Sequence, residues 1–423
     1  MTEGVMYCSE WTKDDVAVWN STYHLDIDMD RQILILTTVR EFLGKFEKEN
    51  VKILQEMGYS VHYAANMADQ RDLFDKEEVE KLGVHIHHIE IERSPYMIRN
   101  NKKAFLRLIE LVRKYRISII HCHTPVGGVL GRLLGRYFKK DGIKIIYTAH
   151  GFHFYKGAPL INNSIFYWVE RSLAHYTDIL VVINREDYEN GKRLRLKKGG
   201  KLCYIPGIGL DMDRFRILSD EERRENRAAL GIGQEQFFLV SVGELNDNKN
   251  QGIILRALAL MRDRGEDISD IVYGVCGDGF LRDRMERQVR ELGLEKHVRM
   301  FGFHKEITEI LGCADLSVFP SRREGLGMAA LESLAMGIPV AASDNRGTRE
   351  YMAEGENGYV CGYRDVEGFA RAIRKCREMK EGEREKMKER CRQSVVRFDK
   401  KYTNEIMRDI YRAAEKMVMG EIS

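Results

Sequence analysis

The chain has 423 residues, of which 43% are hydrophobic, and is therefore long enough for two domains with full cores. It contains no run of 18 uncharged apolar residues and no basic and then apolar N-terminus, so we expect neither a transmembrane helix nor a secretory signal. Eight scattered cysteines without a CxxC pair are typical of reduced thiols in a cytosolic protein.

The positive charge of the chain is concentrated in one half. Residues 31–208 contain 30 Lys and Arg against 19 Asp and Glu, a net charge of +11, whereas residues 209–423 contain 37 against 39. A basic half indicates an anionic partner, either nucleic acid or a membrane surface. Scattered lysines and arginines that only solvate a surface are the commoner explanation of such a bias.

The first 30 residues are acidic and lack hydrophobic periodicity, so we predict a poorly ordered extension there. The apolar run at 32–39 then predicts a buried strand, followed by a helix that ends at Gly58 and a second strand at 59–65. Further strands are predicted at 84–91, 117–122, 144–148 and 178–183, with helices at 102–115 and from Gly127 onward. This alternation predicts a parallel sheet in a Rossmann-like α/β domain that spans residues 31–208.

Two groups of histidines invite a metal interpretation. His121 and His123 lie at the end of one predicted strand, and another strand contains His85, His87 and His88. A zinc site needs further ligands at tetrahedral spacing, and the sequence does not provide them. We therefore predict no metal site.

The segment YTAHGFHFYKGAP contains a better candidate for ligand binding. A predicted strand ends at His150, Gly151 turns the chain, and Phe152 and His153 follow. A lone histidine is more often structural, but one at the carboxyl end of a strand is placed to hydrogen-bond a ligand.

The domain boundary is predicted near Gly209, where a proline and several glycines break regular structure and the charge balance changes sign. A strand at 237–243 begins a second α/β domain, predicted to span residues 209–400, and the loop GELNDNKNQ follows it at 243–251. The last segment, 401–423, has a narrow apolar face at helical spacing, which is typical of a helix that packs against another part of the protein.

The stretch SVFPSRREGLGMAALESLAMGIPVAAS, residues 317–343, predicts a strand, a loop, a helix and a second strand. The loop contains Glu324, Gly325 and Gly327, and it lies where parallel sheets bind ligands. Its glycines allow backbone N–H groups to approach a polar ligand closely. Glu332 lies roughly 7 to 8 Å further along the helix axis, so the two carboxylates could bind different parts of one long ligand. The alternative is that Glu324 caps the helix and Glu332 faces solvent.

Glu324, seven intervening residues and Glu332 closely resemble the donor-site motif of the family 4 glycosyltransferases. The resemblance implies the GT-B fold of that family, in which two Rossmann-like domains face a central cleft and a C-terminal helix crosses back to the N-terminal domain. It also implies that Glu332 bonds the ribose hydroxyls of a nucleotide and that Glu324 faces the donor sugar and diphosphate. The intervening backbone would hold the sugar and the phosphates.

Three further segments resemble the same family. TAHG is similar to the segment with the family's N-domain histidine, which implies a catalytic role near the donor sugar for His150. The loop at 243–251 matches the family's phosphate loop at Gly243, Leu245 and Lys249, but Glu244 stands where arginine is usual. The segment 300–307 is similar to the one that holds the nucleotide base.

The resemblance thus implies a catalytic set of His150, Lys249 and Glu324. The donor-binding residues that it implies are Gly243, Lys249, Phe303, His304, Glu324, Gly325, Leu326, Gly327, Met328 and Glu332. Candidate acceptor contacts are His121, His123, Phe152 and His153.

The function implied is that of a retaining hexosyltransferase that uses a nucleotide-sugar donor, in particular a UDP-sugar, without a metal or other cofactor. The segments IIHCHTPVGGVLGR and AHGFHFYKG resemble enzymes that extend polyprenyl-diphosphate-linked sugars in bacterial exopolysaccharide and capsule synthesis. The acceptor would be a lipid-linked or soluble saccharide. Two other functions stay open: a hydrolysing UDP-sugar 2-epimerase of the same fold, and a degenerate nucleotide-sugar-binding protein, because of Glu244.

The resemblance and the basic half together predict a cytoplasmic protein, peripheral on the inner face of the plasma membrane, with an anionic membrane surface rather than nucleic acid as its partner. Two basic clusters are the predicted contacts with lipid. They consist of Arg132, Arg136, Lys139 and Lys140 in the first, and of Arg193, Arg195, Lys197, Lys198 and Lys201 in the second.

Overall fold

The computed structural model describes residues 31–68, 76–155 and 160–421. These residues form two compact units, of which the first extends to Ile208 and resumes at Thr403, while the second comprises Gly209–Tyr402. The extension predicted at residues 1–30 lies outside the described residues.

The first unit is built on a parallel sheet of seven strands in the order β3-β2-β1-β4-β5-β6-β7. The strands are β1 (Gln32–Leu36), β2 (Ser60–Ala65), β3 (His85–His88), β4 (Ile119–Cys122), β5 (Lys144–Ala149), β6 (Ile179–Val182) and β7 (Lys201–Tyr204). The helices between them are α1 (Lys48–Glu56), α2 (Lys76–Glu80), α3 (Ile98–Lys114), α4 (Pro125–Tyr137), α5 (Leu160–Ala174) and α6 (Arg185–Gly191). A five-residue π-helical segment, Leu43–Glu47, precedes α1.

The second unit has a parallel sheet of six strands in the order β10-β9-β8-β11-β12-β13. The strands are β8 (Phe237–Val242), β9 (Ile271–Cys276), β10 (Val298–Gly302), β11 (Leu316–Phe319), β12 (Val340–Ser343) and β13 (Gly358–Cys361). Its helices are α7 (Asp220–Ala229), α8 (Gly252–Asp263), α9 (Arg282–Glu291), α10 (Thr308–Leu311), α11 (Met328–Ala335), α12 (Val366–Arg377) and α13 (Glu381–Val395).

Most residues of the buried strands are apolar, as expected for parallel sheets covered by helices on both faces, although β2, β3 and β4 each contain a buried histidine. In the first unit, side chains from α3 and α4 pack with β1, β4, β5 and β6 in one core cluster. In the second, side chains from α8 and α12 pack with β8, β9 and β11 in another. Each sheet therefore has its own hydrophobic core.

The last helix, α14 (Lys400–Val418), packs on the first unit from Thr403 onward, which confirms the prediction that the C-terminal helix returns to the N-terminal domain. Its buried face includes Met407, Ile410 and Tyr411, and the Tyr411 hydroxyl lies 2.9 Å from Nδ1 of His121. The end of the chain therefore supplies part of the first unit's interior.

Three predicted elements differ from the structure by three residues or more at one end, and one of them is the strand predicted at 84–91, which ends at His88. The strand predicted at 32–39 ends at Leu36, because the chain turns there into the π-helical segment. The helix predicted at 102–115 begins earlier, at Ile98, because its first turn exposes Ile98 to solvent and thus lacks the apolar periodicity of a core-facing helix.

Among the residues that the structure describes, no helix combines the length and the apolar content that crossing a membrane requires.

Candidate functional site

The second sheet changes direction of strand order between β8 and β11, and the loops after these two strands form the candidate site. Ligands of open α/β sheets bind at the carboxyl ends of the strands where the order reverses. The loop after β8 contains residues 243–251, and the loop after β11 contains residues 320–327 and leads into α11. The structure thus brings together the two loops that carry the predicted donor-binding motifs.

Lys249 and Glu324 form the polar centre of this site. The Lys249 Nζ and Glu324 Oε1 atoms are 2.7 Å apart, and the two side chains are 24% and 14% exposed. The Lys249 ammonium also lies 5.3 Å from the centre of the Phe319 ring. The predicted phosphate-binding cation and the predicted sugar-facing carboxylate are therefore in direct contact.

The loop before α11 is held in a conformation that only glycine adopts easily. Gly327 has φ +94°, and a Cβ atom there would lie 2.8 Å from the Phe319 ring. The Tyr351 hydroxyl donates to the Leu326 carbonyl oxygen at 3.0 Å, and the Arg346 Nε atom lies 3.3 Å from the Glu324 carbonyl oxygen. The free N–H groups at the start of α11 are thereby fixed in space, ready to bind negative charge.

Glu332 lies on α11, where its side chain is half-buried. Its carboxylate makes no hydrogen bond with the residues that the structure describes. Burial raises the pKa of Glu332 to about 7, and the positive charges of Arg214 and Lys249 act in the opposite direction. A carboxylate in this state can accept hydrogen bonds from the hydroxyls of a ligand.

Glu244, which departs from the family pattern, is exposed and points along its own loop. Its Oε2 atom accepts a hydrogen bond from Asn246 Nδ2 at 3.0 Å. A Cβ atom at Gly277 would lie only 2.1 Å from the Gly243 carbonyl oxygen, so the turns after β8 and β9 approach each other at backbone distance. Glu244 thus pairs with Asn246 in its own loop, and the Lys249 ammonium contacts Glu324 instead.

The two residues predicted to contact a nucleotide base, Phe303 and His304, are both exposed after β10, with Phe303 at 53%. The His304 Nε2 atom lies 3.2 Å from the carbonyl oxygen of Phe301. An exposed aromatic ring next to a strand end is accessible to a planar ligand.

The first sheet also reverses its strand order, between β1 and β4, and a second polar cluster lies there. His123 follows β4, His150 follows β5, and Glu47 ends the π-helical segment after β1. The His123 Nδ1 and His150 Nε2 atoms are 3.1 Å apart, and the His123 Nε2 and Glu47 Oε1 atoms are 3.5 Å apart. This arrangement connects Glu47 to the histidine that the family resemblance singles out.

Burial keeps all three groups of this cluster neutral near pH 7. It lowers the pKa of His150 to about 4 and the pKa of His123 well below its usual value. It raises the pKa of Glu47 to about 8, against the hydrogen bond from Asn50. The cluster is a chain of neutral donors and acceptors rather than an ion pair.

Three of the four candidate acceptor contacts, His121, His123 and Phe152, lie in the interior, which argues against that role for them. His121 is fully buried, with its Nε2 atom 2.8 Å from Thr148 Oγ1 and its Nδ1 atom bonded to Tyr411. Phe152 is 2% exposed and stacks on Phe154. Phe152, an aromatic residue after a strand end, was therefore wrongly expected to face a ligand.

His153 is half-buried, and its ring lies 5.1 Å from that of Phe166. Its accessibility is compatible with an acceptor contact. It stays a prediction.

The sequence provided no further metal ligand beside His121 and His123, and the structure corrects this expectation. One ligand atom each from Glu47, His121 and His123 lies within 4.8 Å of the other two. Both ring nitrogens of His121 are already hydrogen-bonded, so a metal ion would have to displace Tyr411 or Thr148. The geometry favours a hydrogen-bonded network over a metal centre.

Sequence reasoning missed three residues near the two clusters: Glu47, Thr124 and Arg346. Thr124 has φ +62°, which is strained for a β-branched residue, and its buried hydroxyl has no hydrogen-bond partner in the structure. Arg346 is only 7% exposed beside Glu324. Only Thr124 had a signal in the sequence, because the proline after it restricts its backbone.

One predicted basic cluster is smaller than expected. Arg132 is 1% exposed, and its guanidinium is held by Glu170, with Nη1 2.5 Å from Oε2. It also stacks 4.0 Å from the centre of the Tyr147 ring. In the other cluster, Lys197 pairs with Asp178 at 2.8 Å. The remaining exposed cations of the two clusters are Arg136, Lys139, Lys140, Arg193, Arg195, Lys198 and Lys201.

Comparison with known proteins gives a consistent result for both units. The family model "Glycosyltransferase Family 4" matches residues 49–208, and the model "Glycosyl transferases group 1" matches residues 222–394. A protein of Bacillus subtilis (strain 168) named "Putative glycosyltransferase EpsD" is 39% identical over 395 residues, which cover 93% of this chain and 100% of that protein.

A second relative is the UDP-Gal:alpha-D-GlcNAc-diphosphoundecaprenol alpha-1,3-galactosyltransferase of Escherichia coli. It is 26% identical over 286 residues, which cover 66% of this chain and 72% of that enzyme. Among solved structures, Anabaena Alr3699/HepE in complex with UDP-glucose has a TM-score of 0.72 at 18% identity and covers 90% of this chain and 99% of its own. Sucrose-phosphate synthase from Thermosynechococcus elongatus has a TM-score of 0.74 at 19% identity, with the same coverage. These likenesses confirm two Rossmann-like domains of the GT-B type.

Proposed function

This chain belongs to the glycosyltransferases of group 1 and family 4, and on that premise we propose that it transfers a sugar from a UDP-sugar to a polyprenyl-diphosphate-linked saccharide. The anomeric configuration of the donor is retained. The product is a growing bacterial surface polysaccharide.

The observation that carries the proposal is the cluster of Lys249, Glu324 and Glu332 at the switch point of the second sheet. A nucleotide sugar offers a diphosphate, a ribose and a sugar along one axis, and this cluster offers a cation, helix N–H groups and two carboxylates. One neighbour of similar fold, Anabaena Alr3699/HepE, was solved with UDP and with UDP-glucose, and the Escherichia coli relative is named for a UDP-Gal donor. These names support UDP as the nucleotide here.

The proposed chemistry depends on fixed positive charge. As the bond between the anomeric carbon and the diphosphate oxygen breaks, negative charge grows on the leaving diphosphate. Lys249 and the N–H groups at the start of α11 stabilise that charge, with Lys249 exchanging part of its contact with Glu324 for phosphate oxygen. The acceptor hydroxyl attacks from the same face, and its proton passes to the leaving phosphate oxygen, so no protein nucleophile and no metal is required.

In the first unit, we assign His150 the role of a hydrogen-bond partner to the reacting substrates. Its Nε2 atom bonds His123, and its Nδ1 atom makes no hydrogen bond with the described residues. A neutral imidazole with one free nitrogen can bind a sugar hydroxyl or a phosphate oxygen. The buried His123 contacts substrate only through His150, and the half-buried His153 is the remaining candidate acceptor contact.

The acceptor lipid would keep the protein at an anionic membrane, and the start of α3 offers a suitable surface. Three neighbouring apolar side chains are exposed there: Tyr96 at 87%, Met97 at 46% and Ile98 at 72%. Exposed cations follow directly at Arg99, Lys102 and Lys103. Apolar side chains beside lysines and arginines are the combination that binds the interface of an anionic bilayer.

Purified protein incubated with a panel of UDP-sugars, with and without a polyprenyl-diphosphate-linked sugar acceptor, tests the proposal. We expect one donor to raise the melting temperature and to release UDP at a high rate only when the acceptor is present. Equal UDP release without any acceptor would favour the 2-epimerase, which hydrolyses its own substrate. Stabilisation by UDP-sugars without turnover, across a full acceptor panel, would favour a binding protein.

A further inference from the structure

The first unit contains a buried chain of hydrogen-bonding side chains, of which only His150 has a role in the reaction proposed above. It starts at Asn50, whose Nδ2 atom donates to Glu47 Oε2 at 2.8 Å. The other oxygen of Glu47 faces His123 Nε2 at 3.5 Å, and His123 Nδ1 lies 3.1 Å from His150 Nε2. His123 and Glu47 have side-chain exposures of 1% and 2%.

The contact between His123 Nε2 and Glu47 Oε1 is the longest in this chain, and it indicates the role of Glu47. The His123 Nε2 atom is shut off from solvent, and among the residues that the structure describes no hydrogen-bond partner lies closer to it than Glu47. A buried polar atom without a partner is costly, so a small rotation that closes the 3.5 Å gap is favourable. Glu47 Oε1 is the atom in position to close it.

We propose that Glu47 is a positioning residue that sets, through His123, which nitrogen of His150 carries the proton presented to the substrates. The proposal rests on the proposed function for the identity of those substrates. The state of each imidazole is dictated by its neighbour, because a ring nitrogen that accepts a hydrogen bond must leave the proton on the other nitrogen.

The direction of the chain follows from the proton on Glu47. With the carboxyl protonated, its O–H donates to His123 Nε2, His123 Nδ1–H donates to His150 Nε2, and His150 Nδ1–H is left as a donor. With the carboxylate ionised, His123 Nε2–H donates to Glu47, His150 Nε2–H donates to His123 Nδ1, and His150 Nδ1 is left as an acceptor. One proton at Glu47 therefore inverts the hydrogen-bonding role of His150.

The surroundings of Glu47 favour the protonated form at neutral pH. Burial holds its pKa near 8, and Asn50 occupies the oxygen that faces away from His123. Three other titratable groups face Glu47 from neighbouring elements: His121 on β4, Tyr63 on β2 and Tyr411 on α14. A fourth, Glu49, lines the same small cavity. None of these is a cation at pH 7, so nothing among them draws the proton off Glu47.

The tautomers can be observed directly in protein labelled with ¹⁵N at histidine. At pH 7 we expect His123 and His150 both to carry the proton on Nδ1, and we expect both to switch to Nε2–H with a midpoint near pH 8. Assignment uses His123→Asn and His150→Asn. Nε2–H signals for both residues at pH 7 would overturn the proposal.

The variants Glu47→Gln and Glu49→Gln separate positioning from structure. A glutamine at 47 can accept from Asn50 and donate to His123 Nε2 at every pH, so we expect the tautomeric transition to disappear while the fold persists. Glu49 lines the same cavity but bonds Asn404 instead of the histidines, so Glu49→Gln should keep the transition. A transition that survives in Glu47→Gln, or vanishes in Glu49→Gln, would contradict the proposal.

Kinetics give the readout that a merely structural role would not move. The wild-type kcat/KM should fall above pH 8, and Glu47→Gln, which keeps the chain in the direction set by the protonated carboxyl, should lose that alkaline fall. An unchanged alkaline fall in Glu47→Gln would overturn a role of the chain in the reaction. If no UDP-sugar is turned over at all while the tautomers behave as expected, the proposed function fails and the assignment of the tautomers stands.

Discussion

In each unit, polar side chains lie where the strand order of the sheet reverses, but those of the second unit include a charged pair and those of the first unit are neutral. In the second unit, the switch point holds a charged pair, Lys249 and Glu324, beside the isolated carboxyl group of Glu332. In the first unit it holds Glu47, His123 and His150, which burial keeps neutral at pH 7. In the function proposed above, charge is suited to a diphosphate whose charge grows during the reaction, and neutral donors are suited to hydroxyls.

Removing the charge in the second unit should have the largest effect. We expect Lys249→Met to lower kcat by about 10² to 10³, or about 3 to 4 kcal/mol, because the group stabilises charge that develops in the transition state. The dissociation constant of UDP should change much less. Rapid-quench assays and calorimetry measure the two quantities.

The matched control is Lys375→Met, because Lys375 lies 5.3 Å from the centre of the Tyr359 ring, the same distance as Lys249 from Phe319. It should retain wild-type turnover. If Lys249→Met also kept wild-type turnover, the phosphate-binding charge would have to lie elsewhere.

Glu332→Ala should weaken UDP binding by about 1 to 3 kcal/mol, because the ribose hydroxyls lose a buried acceptor. Calorimetry with UDP and with uracil tests the site of contact, since uracil lacks the ribose and should lose nothing. Glu383→Ala, on the exposed face of α13, is the control. Equal UDP affinity in Glu332→Ala and wild type would remove Glu332 from the donor site.

Because the pKa of Glu332 is about 7, UDP affinity and the stability of the protein should both depend on pH. An ionised carboxylate is the better acceptor, so UDP affinity should rise between pH 6 and pH 8 relative to Glu332→Gln, which removes the titration of UDP itself from the comparison. The folded state binds this proton more tightly than the unfolded state does, so the stability of the unliganded protein should fall as the pH rises from about 4.5 to about 7. Denaturant titrations of both proteins at each pH measure the second effect, and parallel curves would contradict it.

The smallest expected effects concern the membrane. Lys139→Gln with Lys140→Gln should weaken binding to anionic vesicles by about 1 kcal/mol per residue at low salt, and by less as salt rises. Lys296→Gln with Lys386→Gln, two exposed positions in the second unit, should leave binding unchanged. Equal losses in both double variants would show that the basic half has no special role.

Two carboxylates of the second unit's site could be predicted from the sequence because they are local, whereas Lys249, 75 positions from Glu324, was identified only through the family resemblance. Glu324 and Glu332 lie on one loop and the helix that follows it, so their relation depends on helix geometry alone. The alternation of apolar runs with helical segments likewise predicted both parallel sheets. What remained unpredicted there is Arg346, which follows β12 and whose Nε atom lies 3.3 Å from the Glu324 carbonyl oxygen.

The first unit's cluster could not be predicted because it depends on contacts between distant segments. Glu47 and His123 are 76 positions apart, and a π-helical segment, which has no sequence signature, turns Glu47 inward. The same limit explains Arg132: its position on a helix indicated a surface cation, but Glu170, 38 residues away, holds it in the interior. Burial of a polar group is decided by its partner, and the partner is rarely a neighbour in sequence.

The packing of α14 has a consequence for how the chain folds during translation. Tyr411, the partner of His121, leaves the ribosome 290 residues after it, because α14 follows the whole second unit in the chain. Domains usually fold in the order of their synthesis. Here the N-terminal unit must wait with an exposed helix-binding face until the second unit has been made, so a ribosome-stalled or prematurely terminated chain would present that face to chaperones and proteases.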